Sequence, residues 1–354
     1  MVKNPIRPIR IGSRLIGPGH PCFIIAEAGV NHNGSLDLAL KLVDAAAEAG
    51  ADAVKFQTFK AERVVGPDAP QAAYQRAGGG TAQSQLEMVR KLELSHDAFV
   101  RIETHCRQRG ILFLSTPFDE ESADFLDRMG MAAFKVGSGD LTHHAHLRHL
   151  AAKGRPVLLS TGMADWTEVE EAMEVLHRAG ADAIALFHCV SSYPAPPGDC
   201  HLRVVGALAE RFGVPAGWSD HTEGIHIALA AAALGAHLIE KHFTLDRTLP
   251  GPDHAASIEP GTLRALVAQV RAVEEAVGEA DKRLRPSEAD VSRVARRSLH
   301  TARRLPQGHV LTGGDIVLMR PGTGMPPNRL GSVLGRPLAR DLDAGAMLTE
   351  EDLA

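Results

Sequence analysis

The chain has 354 residues, 44% hydrophobic and 23% charged, which is enough for two domains or for one large barrel with an appendage. A net charge of −5 without any polybasic block, and an aromatic content of only 4%, argue against nucleic acid or an anionic membrane as the partner. The first five residues, Met-Val-Lys-Asn-Pro, carry no apolar leader core, no apolar run is long enough to span a bilayer, and Cys22, Cys106, Cys189 and Cys200 lack disulfide or zinc spacing, so a reduced cytoplasmic setting is the expectation.

Residues 9–17, Ile-Arg-Ile-Gly-Ser-Arg-Leu-Ile-Gly, read as a hairpin placed to plug the bottom of a barrel. Beyond it an internal echo organises the chain. Ala49-Gly-Ala-Asp-Ala-Val-Lys-Phe56 is nearly repeated by Ala179-Gly-Ala-Asp-Ala-Ile-Ala-Leu186, with looser copies at 129–136 and 234–241. In each copy a helical stretch ends at glycine and an apolar strand follows at once, the signature of α/β units around a parallel sheet. Eight strands are predicted, at 23–27, 53–57, 112–116, 133–137, 157–161, 184–189, 216–220 and 238–242. The first helix is expected between an N-cap at Ser35 and Gly50, and the last carries Leu263, Leu266, Val267, Val270, Val273 and Val277 on one stripe. Eight such units predict an α/β fold, a (β/α)8 TIM barrel over residues 1–278, and no GxGxxG follows the first strand to favour a doubly wound sheet. The stretch 60–90, with Ala-Gly-Gly-Gly-Thr-Ala at 77–82, is an oversized connection and a candidate lid. Residues 279–295 read as a charged linker, and 296–354 as a small second domain of short strands and turns.

In such a barrel the chemistry lies at the C-terminal ends of the strands. These ends carry Glu27; Lys55 and Gln57; Thr116 and Phe118; Lys135, Ser138 and Asp140; Ser160; Tyr193; Ser219 and His221; Glu240 and His242, with Asp253 just beyond. A lone Ser or Thr there is usually a helix cap, but a polar group on every strand is not a packing pattern. Lys55, Lys135 and Glu240 hold equivalent places in three repeat units and are expected to face the interior. Two buried lysines call for an anion, and the hydroxyls of Thr116, Ser138 and Ser160 would complete a site for phosphate or carboxylate. A Schiff-base lysine is the rival reading. His221 and His242 end consecutive strands and can converge on one divalent transition ion, with Glu240 or Asp220 nearby. The run His143-His144-Ala-His146-Leu-Arg-His149 opens a helix and is read as cap or surface, not as a metal site.

The strings Ile25-Ala-Glu-Ala-Gly-Val-Asn-His-Asn-Gly34, Lys55-Phe-Gln57, Lys135-Val-Gly-Ser-Gly-Asp140, Ser-Thr-Gly-Met163, Tyr193-Pro194, Ser-Asp-His-Thr222, Glu-Lys-His-Phe-Thr244 and Gly-Pro-Asp-His-Ala-Ala-Ser257 resemble the sialic acid synthase family. The tail, from Arg297-Ser-Leu through Met319-Arg-Pro-Gly-Thr-Gly-Met-Pro326 to Leu334-Gly335, resembles that family's antifreeze-like (SAF) domain. The resemblance implies condensation of phosphoenolpyruvate with N-acetylmannosamine or a related N-acylated sugar, releasing phosphate. It implies that Lys55, Lys135, Thr116, Ser138 and Ser160 hold phosphoenolpyruvate. It also implies that His221 and His242 bind manganese, or magnesium or cobalt in its place, and that Arg320 reaches the sugar in the partner subunit of a homodimer. Ala28 and Lys241 depart slightly from the family's usual residues. Legionaminic, pseudaminic and 9-phosphate variants of the product stay open, as does the choice of Glu27 or Glu240 as general base. Other readings are a 3-deoxy-sugar-acid synthase, which the tail and the paired histidines fit poorly, and a non-catalytic sugar- or ice-binding protein, which leaves the ionised barrel mouth unexplained.

Overall fold

A computed structural model describes residues 5–71 and 84–354. The glycine-rich centre of the expected lid and the extreme N-terminus lie outside the described residues. The chain divides into two compact units, Met1–Gly278 and Glu279–Ala354.

The first unit is a closed barrel of eight parallel strands: β3 (Phe23–Gly29), β4 (Ala53–Thr58), β5 (Leu112–Pro117), β6 (Phe134–Val136), β7 (Val157–Ser160), β8 (Ile184–Cys189), β9 (Ala216–Asp220) and β10 (Leu238–His242), with β10 closing on β3. All eight predicted strands are present. The four repeat glycines, Gly50, Gly130, Gly180 and Gly235, all have φ between 81° and 90°, the left-handed conformation that ends a helix without a Cβ clash. Ser35 caps helix Leu36–Ala49 by accepting from the Leu38 amide. Helix Pro260–Val277 buries Leu263, Leu266, Val267 and Val270 of its expected stripe, while Val277 stays exposed.

Alternation along the strands sets two layers inside the barrel. The lower layer is apolar and contains Phe23, Ile25, Ala53, Leu114, Ala133, Leu158, Ala185, Phe187 and Leu238. An antiparallel hairpin, β1 (Ile9–Ile11) with β2 (Arg14–Ile16), adds Ile9, Ile11 and Ile16 to that cluster and closes the bottom. Two residues further along the same strands the inward positions become Glu27, Lys55, Thr116, Lys135, Ser160, Cys189, Ser219 and Glu240. This polar layer, the floor of the barrel's mouth, therefore rests directly on the packed apolar layer. No helix among the described residues is long and apolar enough to cross a membrane.

In the second unit β11 (Ser298–Thr301) pairs antiparallel with β12 (Ile316–Met319) over a core of Leu299, Leu305, Leu311, Val333, Leu338 and Leu348. Residues 279–295, read as a linker, cluster with this unit and contain the helix Ala289–Ala295, which exposes Val291 and Val294. Two Leu-Thr-x-x-Asp turns, at 311–315 and 348–352, build the same capping box twice: Asp315 accepts from Thr312, and Asp352 from Thr349, each at both backbone amide and hydroxyl.

Candidate active site

Strand register brings the charged residues together. Lys55 stands opposite Glu27 on β3, Glu27 opposite His242 on β10, and Thr116 opposite Gln57. The Lys55 ammonium lies 2.6 Å from Glu27 Oε2 and donates to Thr116 Oγ1 at 3.1 Å. Gln57 donates to the other Glu27 oxygen at 3.0 Å. The Lys135 ammonium donates to Ser160 Oγ at 2.6 Å and to the Val136 carbonyl at 3.2 Å. One oxygen of Glu240 sits between the lysines, 3.8 Å from Lys55 and 3.7 Å from Lys135, and accepts from the Ser219 hydroxyl at 3.3 Å. The two lysines thus have carboxylates of their own, which the need for an outside anion did not anticipate. The pairing is uneven, with Lys55 tightly bonded and Lys135 facing carboxylate only at a distance.

Burial and the set of neighbouring charges tune the two carboxyls in opposite directions. Burial pushes Glu27 up to about 7 against the pull of Lys55. Burial also opposes ionisation of Glu240, but Lys135 and Lys55 together outweigh it and hold that carboxyl below its ordinary value. Burial lowers Lys135, whereas Glu240 and Glu27 overcome burial at Lys55 and raise it. Burial raises Asp253 to about 6. One buried carboxyl is therefore fixed as an anion and another is poised to exchange a proton near neutral pH.

His221 and His242 converge as expected, with ring centroids 5.4 Å apart and Tyr193 packed against both. Burial holds both imidazoles below their usual pKa, so both are neutral. The Nδ1–H of His221 donates to the Val190 carbonyl at 2.7 Å, which leaves the lone pair on Nε2. His242 Nδ1 and Glu240 Oε2 are buried with no hydrogen-bond partner among the described residues. Asp253 Oδ2 is 3.8 Å from His242 Nδ1. Two neutral imidazoles with an orphaned nitrogen fit a divalent ion that draws its remaining ligands from substrate or water. Three or more His, Cys, Asp or Glu groups do not gather as a ready-made metal cluster among the described residues.

Both histidines are braced from behind. Lys241, pointing out of the barrel, donates to Asp220 Oδ2 at 2.9 Å and to the Thr222 carbonyl at 2.5 Å. Asp220 in turn accepts from the amide and hydroxyl of Thr222. This fully buried lysine clamps the residues on either side of His221 and is itself the neighbour of His242.

A cavity of about 580 Å³ opens over these groups. Its lining includes Glu27, Lys55, Gln57, Thr116, Phe118, Lys135, Ser138, Ser160, Tyr193, Ser219, His221, Glu240, His242 and Asp253. Asp140 is not among the lining residues. It ends a tight turn, Ser138–Asp140, that aims Ser138 inward while the Asp140 carboxyl, raised by burial, feels His146 and His143. Arg320 belongs to the second unit and is exposed there at the end of β12. The His143–His149 run is structural: His143 caps the helix His144–Ala151, His146 bonds the Pro117 carbonyl, and His149 pairs with Asp124.

Sequence reasoning missed Cys189, whose thiol lies 3.0 Å from Ser138 Oγ, although counting by twos from Ala185 and Phe187 leads to it. Gly162 appears in the Ser-Thr-Gly-Met163 string but was given no role there. A Cβ at that residue would stand 2.5–2.7 Å from Ser191, Cys189 and Ser138, and its amide donates to Ser138 Oγ at 3.0 Å. A third omission is the apolar side of the cavity, Val30, Phe59, Val64, Val65, Met88, Val89 and Leu92. These residues sit on short helices and loops where no periodicity signals a lining.

Comparison with known proteins agrees with this geometry. The NeuB family matches residues 42–282 and the SAF domain matches residues 296–354. An N,N'-diacetyllegionaminic acid synthase of Legionella pneumophila is 42% identical over 95% of this chain and 96% of its own. The human N-acetylneuraminate-9-phosphate synthase is 36% identical over 96% of this chain and 95% of its own. The crystal structure of the N-acetylneuraminic acid synthetase of Leptospira borgpetersenii, solved with citrate, superposes with a TM-score of 0.72 at 35% identity, covering 80% of this chain and 95% of that one. With its closed eight-stranded barrel and C-terminal SAF domain, the chain belongs to the NeuB family of sialic acid synthases.

Proposed function

We propose that the chain is a cytoplasmic nonulosonic acid synthase, a transferase that joins phosphoenolpyruvate to the open-chain aldehyde of an N-acylated amino sugar and releases inorganic phosphate. The observation that carries this reading is the buried floor, where two lysines and three hydroxyls face two carboxyls of opposite tuning beside two neutral imidazoles.

Lys135 with Ser160, Lys55 with Thr116, and Ser138 provide the donors for the phosphate and carboxylate of phosphoenolpyruvate. His221 and His242 would hold the divalent ion, manganese first and magnesium or cobalt as substitutes, which supplies Lewis acidity toward the aldehyde oxygen. Carbon 3 of phosphoenolpyruvate forms a bond to the aldehyde carbon as the carbonyl π pair moves onto the aldehyde oxygen, which takes a proton from water to become a hydroxyl, and carbon 2 becomes oxocarbenium-like. Water adds at carbon 2, and Glu27, tuned to about 7, accepts its proton. The new carbon 2 hydroxyl then gives up its proton as its oxygen forms the ketone C=O, the bond from carbon 2 to the phosphate-bearing oxygen breaks, and phosphate leaves with that bond's electron pair. Lys55 and Lys135 balance the charge that gathers on it, while Glu240 stays ionised and keeps both ammonium groups in place. Gln57, Tyr193, Ser219 and Asp253 are the groups assigned to the sugar's hydroxyls. Arg320 of a second subunit is assigned to its N-acyl group, which makes a homodimer part of the function.

A panel of acceptors tests this: N-acetylmannosamine, its 6-phosphate and 2,4-diacetamido-6-deoxy sugars, each with phosphoenolpyruvate and added manganese. Phosphate release and a product mass equal to sugar plus pyruvate are expected with at least one acceptor. His242→Ala is expected to abolish turnover, and chelation to abolish it reversibly. Release of no phosphate, or trapping of Lys135 by borohydride with pyruvate, would replace the synthase reading with a binding or Schiff-base function.

A further inference from the structure

Lys241 and Asp220 are fully buried, and neither they nor Thr222 line the cavity. They therefore meet neither solvent nor substrate. Their place in the sheet is specific. Across β9 and β10, Ser219 stands opposite Glu240 and Asp220 opposite Lys241. The Ser219–Glu240 hydrogen bond ties the two strands on the inner face, and the Lys241–Asp220 ion pair, at 2.9 Å, ties them on the outer face. The residue that follows each partner is a histidine, His221 after Asp220 and His242 after Lys241.

β9 ends at Asp220, so His221 lies in the turn beyond the ladder. The ion pair takes over where the ladder stops. One Asp220 oxygen accepts from the amide and hydroxyl of Thr222, the other from Lys241, and Lys241 also donates to the Thr222 carbonyl at 2.5 Å. The His221 carbonyl accepts from the Ala195 amide at 2.9 Å, and its ring donates to Val190. A buried ion pair is often no more stabilising than apolar groups of the same volume. Stability alone therefore does not account for a lysine and an aspartate enclosed here.

Building on the reading of His221 and His242 as metal ligands, we propose that Lys241 and Asp220 are positioning residues that fix the separation of the two imidazoles and so set the affinity for the divalent ion. Ligands already held 5.4 Å apart, ring centre to ring centre, need no ordering when the ion arrives.

The test is manganese binding to the full, metal-free chain without either substrate, read from the paramagnetic resonance of free Mn2+. The wild type is expected to bind saturably, and His221→Ala to lose that binding. Lys241→Met alone strands the Asp220 carboxylate, so the informative variant is the charge-free pair Lys241→Met with Asp220→Asn, which nearly keeps both volumes. It is expected to melt close to the wild type and yet to bind manganese about ten-fold more weakly. Unchanged affinity in the double variant, or an affinity lost together with the melting temperature, overturns the positioning role and leaves the histidine site intact. No manganese binding by the wild type, or binding that survives His221→Ala, removes the histidine reading and this inference with it.

Discussion

Two glutamates on the same barrel floor are tuned in opposite directions by the charges that surround them. Glu27 meets one lysine at 2.6 Å and accepts from Gln57, but it also faces the Glu240 carboxylate, so burial wins and its carboxyl rises to about 7. Glu240 stands 3.8 and 3.7 Å from two lysines, and their combined field wins instead. The strand-end positions of both residues were legible from alternation in the sequence. Their division of labour was not, because it depends on distances that no spacing rule encodes. The same holds for Lys55 and Lys135, which were read as a matched pair but differ in partners and in the direction of their shifts. The consequence is visible in a pH profile. As the base, Glu27 must be ionised in the free enzyme, so kcat/KM is expected to rise with pH through about 7 and then level off. Glu27→Gln is expected to remove this limb and to lower kcat by about a hundred-fold or more. If the limb persists in that variant and disappears in Asp253→Asn, the titrating group is Asp253, which burial raises to about 6.

At the scale of elements, the glycine-ended repeats made the barrel readable, since each unit declares where its helix stops and its strand begins. The hairpin was equally plain: Ile9, Ile11 and Ile16 project from it into the barrel's lower layer, and Gly12 turns it with φ of 56°. What stayed hidden were elements too short for a hydrophobic period, namely the helices Ala61–Val64 and Gln85–Lys91, which line the cavity, and Ala289–Ala295, which was read as linker. The duplicated Leu-Thr-x-x-Asp turn shares only three fixed residues between its copies at 311–315 and 348–352, too few to stand out as a repeat in the sequence. The hairpin has a measurable role. Ile11 is fully buried beneath the layer that carries Lys55 and Glu27, so Ile11→Ala leaves a void under the site. A loss of about 3 kcal/mol in unfolding free energy is expected from urea titration. Because the polar layer rests on this packing, KM for phosphoenolpyruvate is expected to rise as well. Lost stability at an unaltered KM would show that the floor does not depend on its plug.

At the scale of the molecule, two units of unequal size raise the question of why the smaller one is kept. Its core is a handful of leucines with Val333 and Met325, and its two capping boxes fix Asp315 and Asp352 with arginine support. Arg320 stands exposed at the end of β12, beside Val317, Leu318 and Met319, which are 37%, 37% and 36% exposed. A unit that presents a cation next to partly exposed apolar residues is suited to serve a site other than its own surface, and the homodimer proposal places that site in the partner's barrel. This arrangement makes a prediction that activity in one chain cannot imitate. Arg320→Ala alone is expected to raise the acceptor KM and spare that of phosphoenolpyruvate, and His242→Ala alone to be inactive. When the two variants are co-expressed, a mixed dimer pairs an intact barrel from one chain with an intact Arg320 from the other. Random pairing then restores about a quarter of the wild-type sites. Recovery of that order, measured at saturating phosphoenolpyruvate and limiting acceptor, would establish that each site is built from two chains. Activity equal only to the sum of the separately purified variants would place Arg320 in its own chain's service, and the small unit would then be a domain that completes one barrel without binding two.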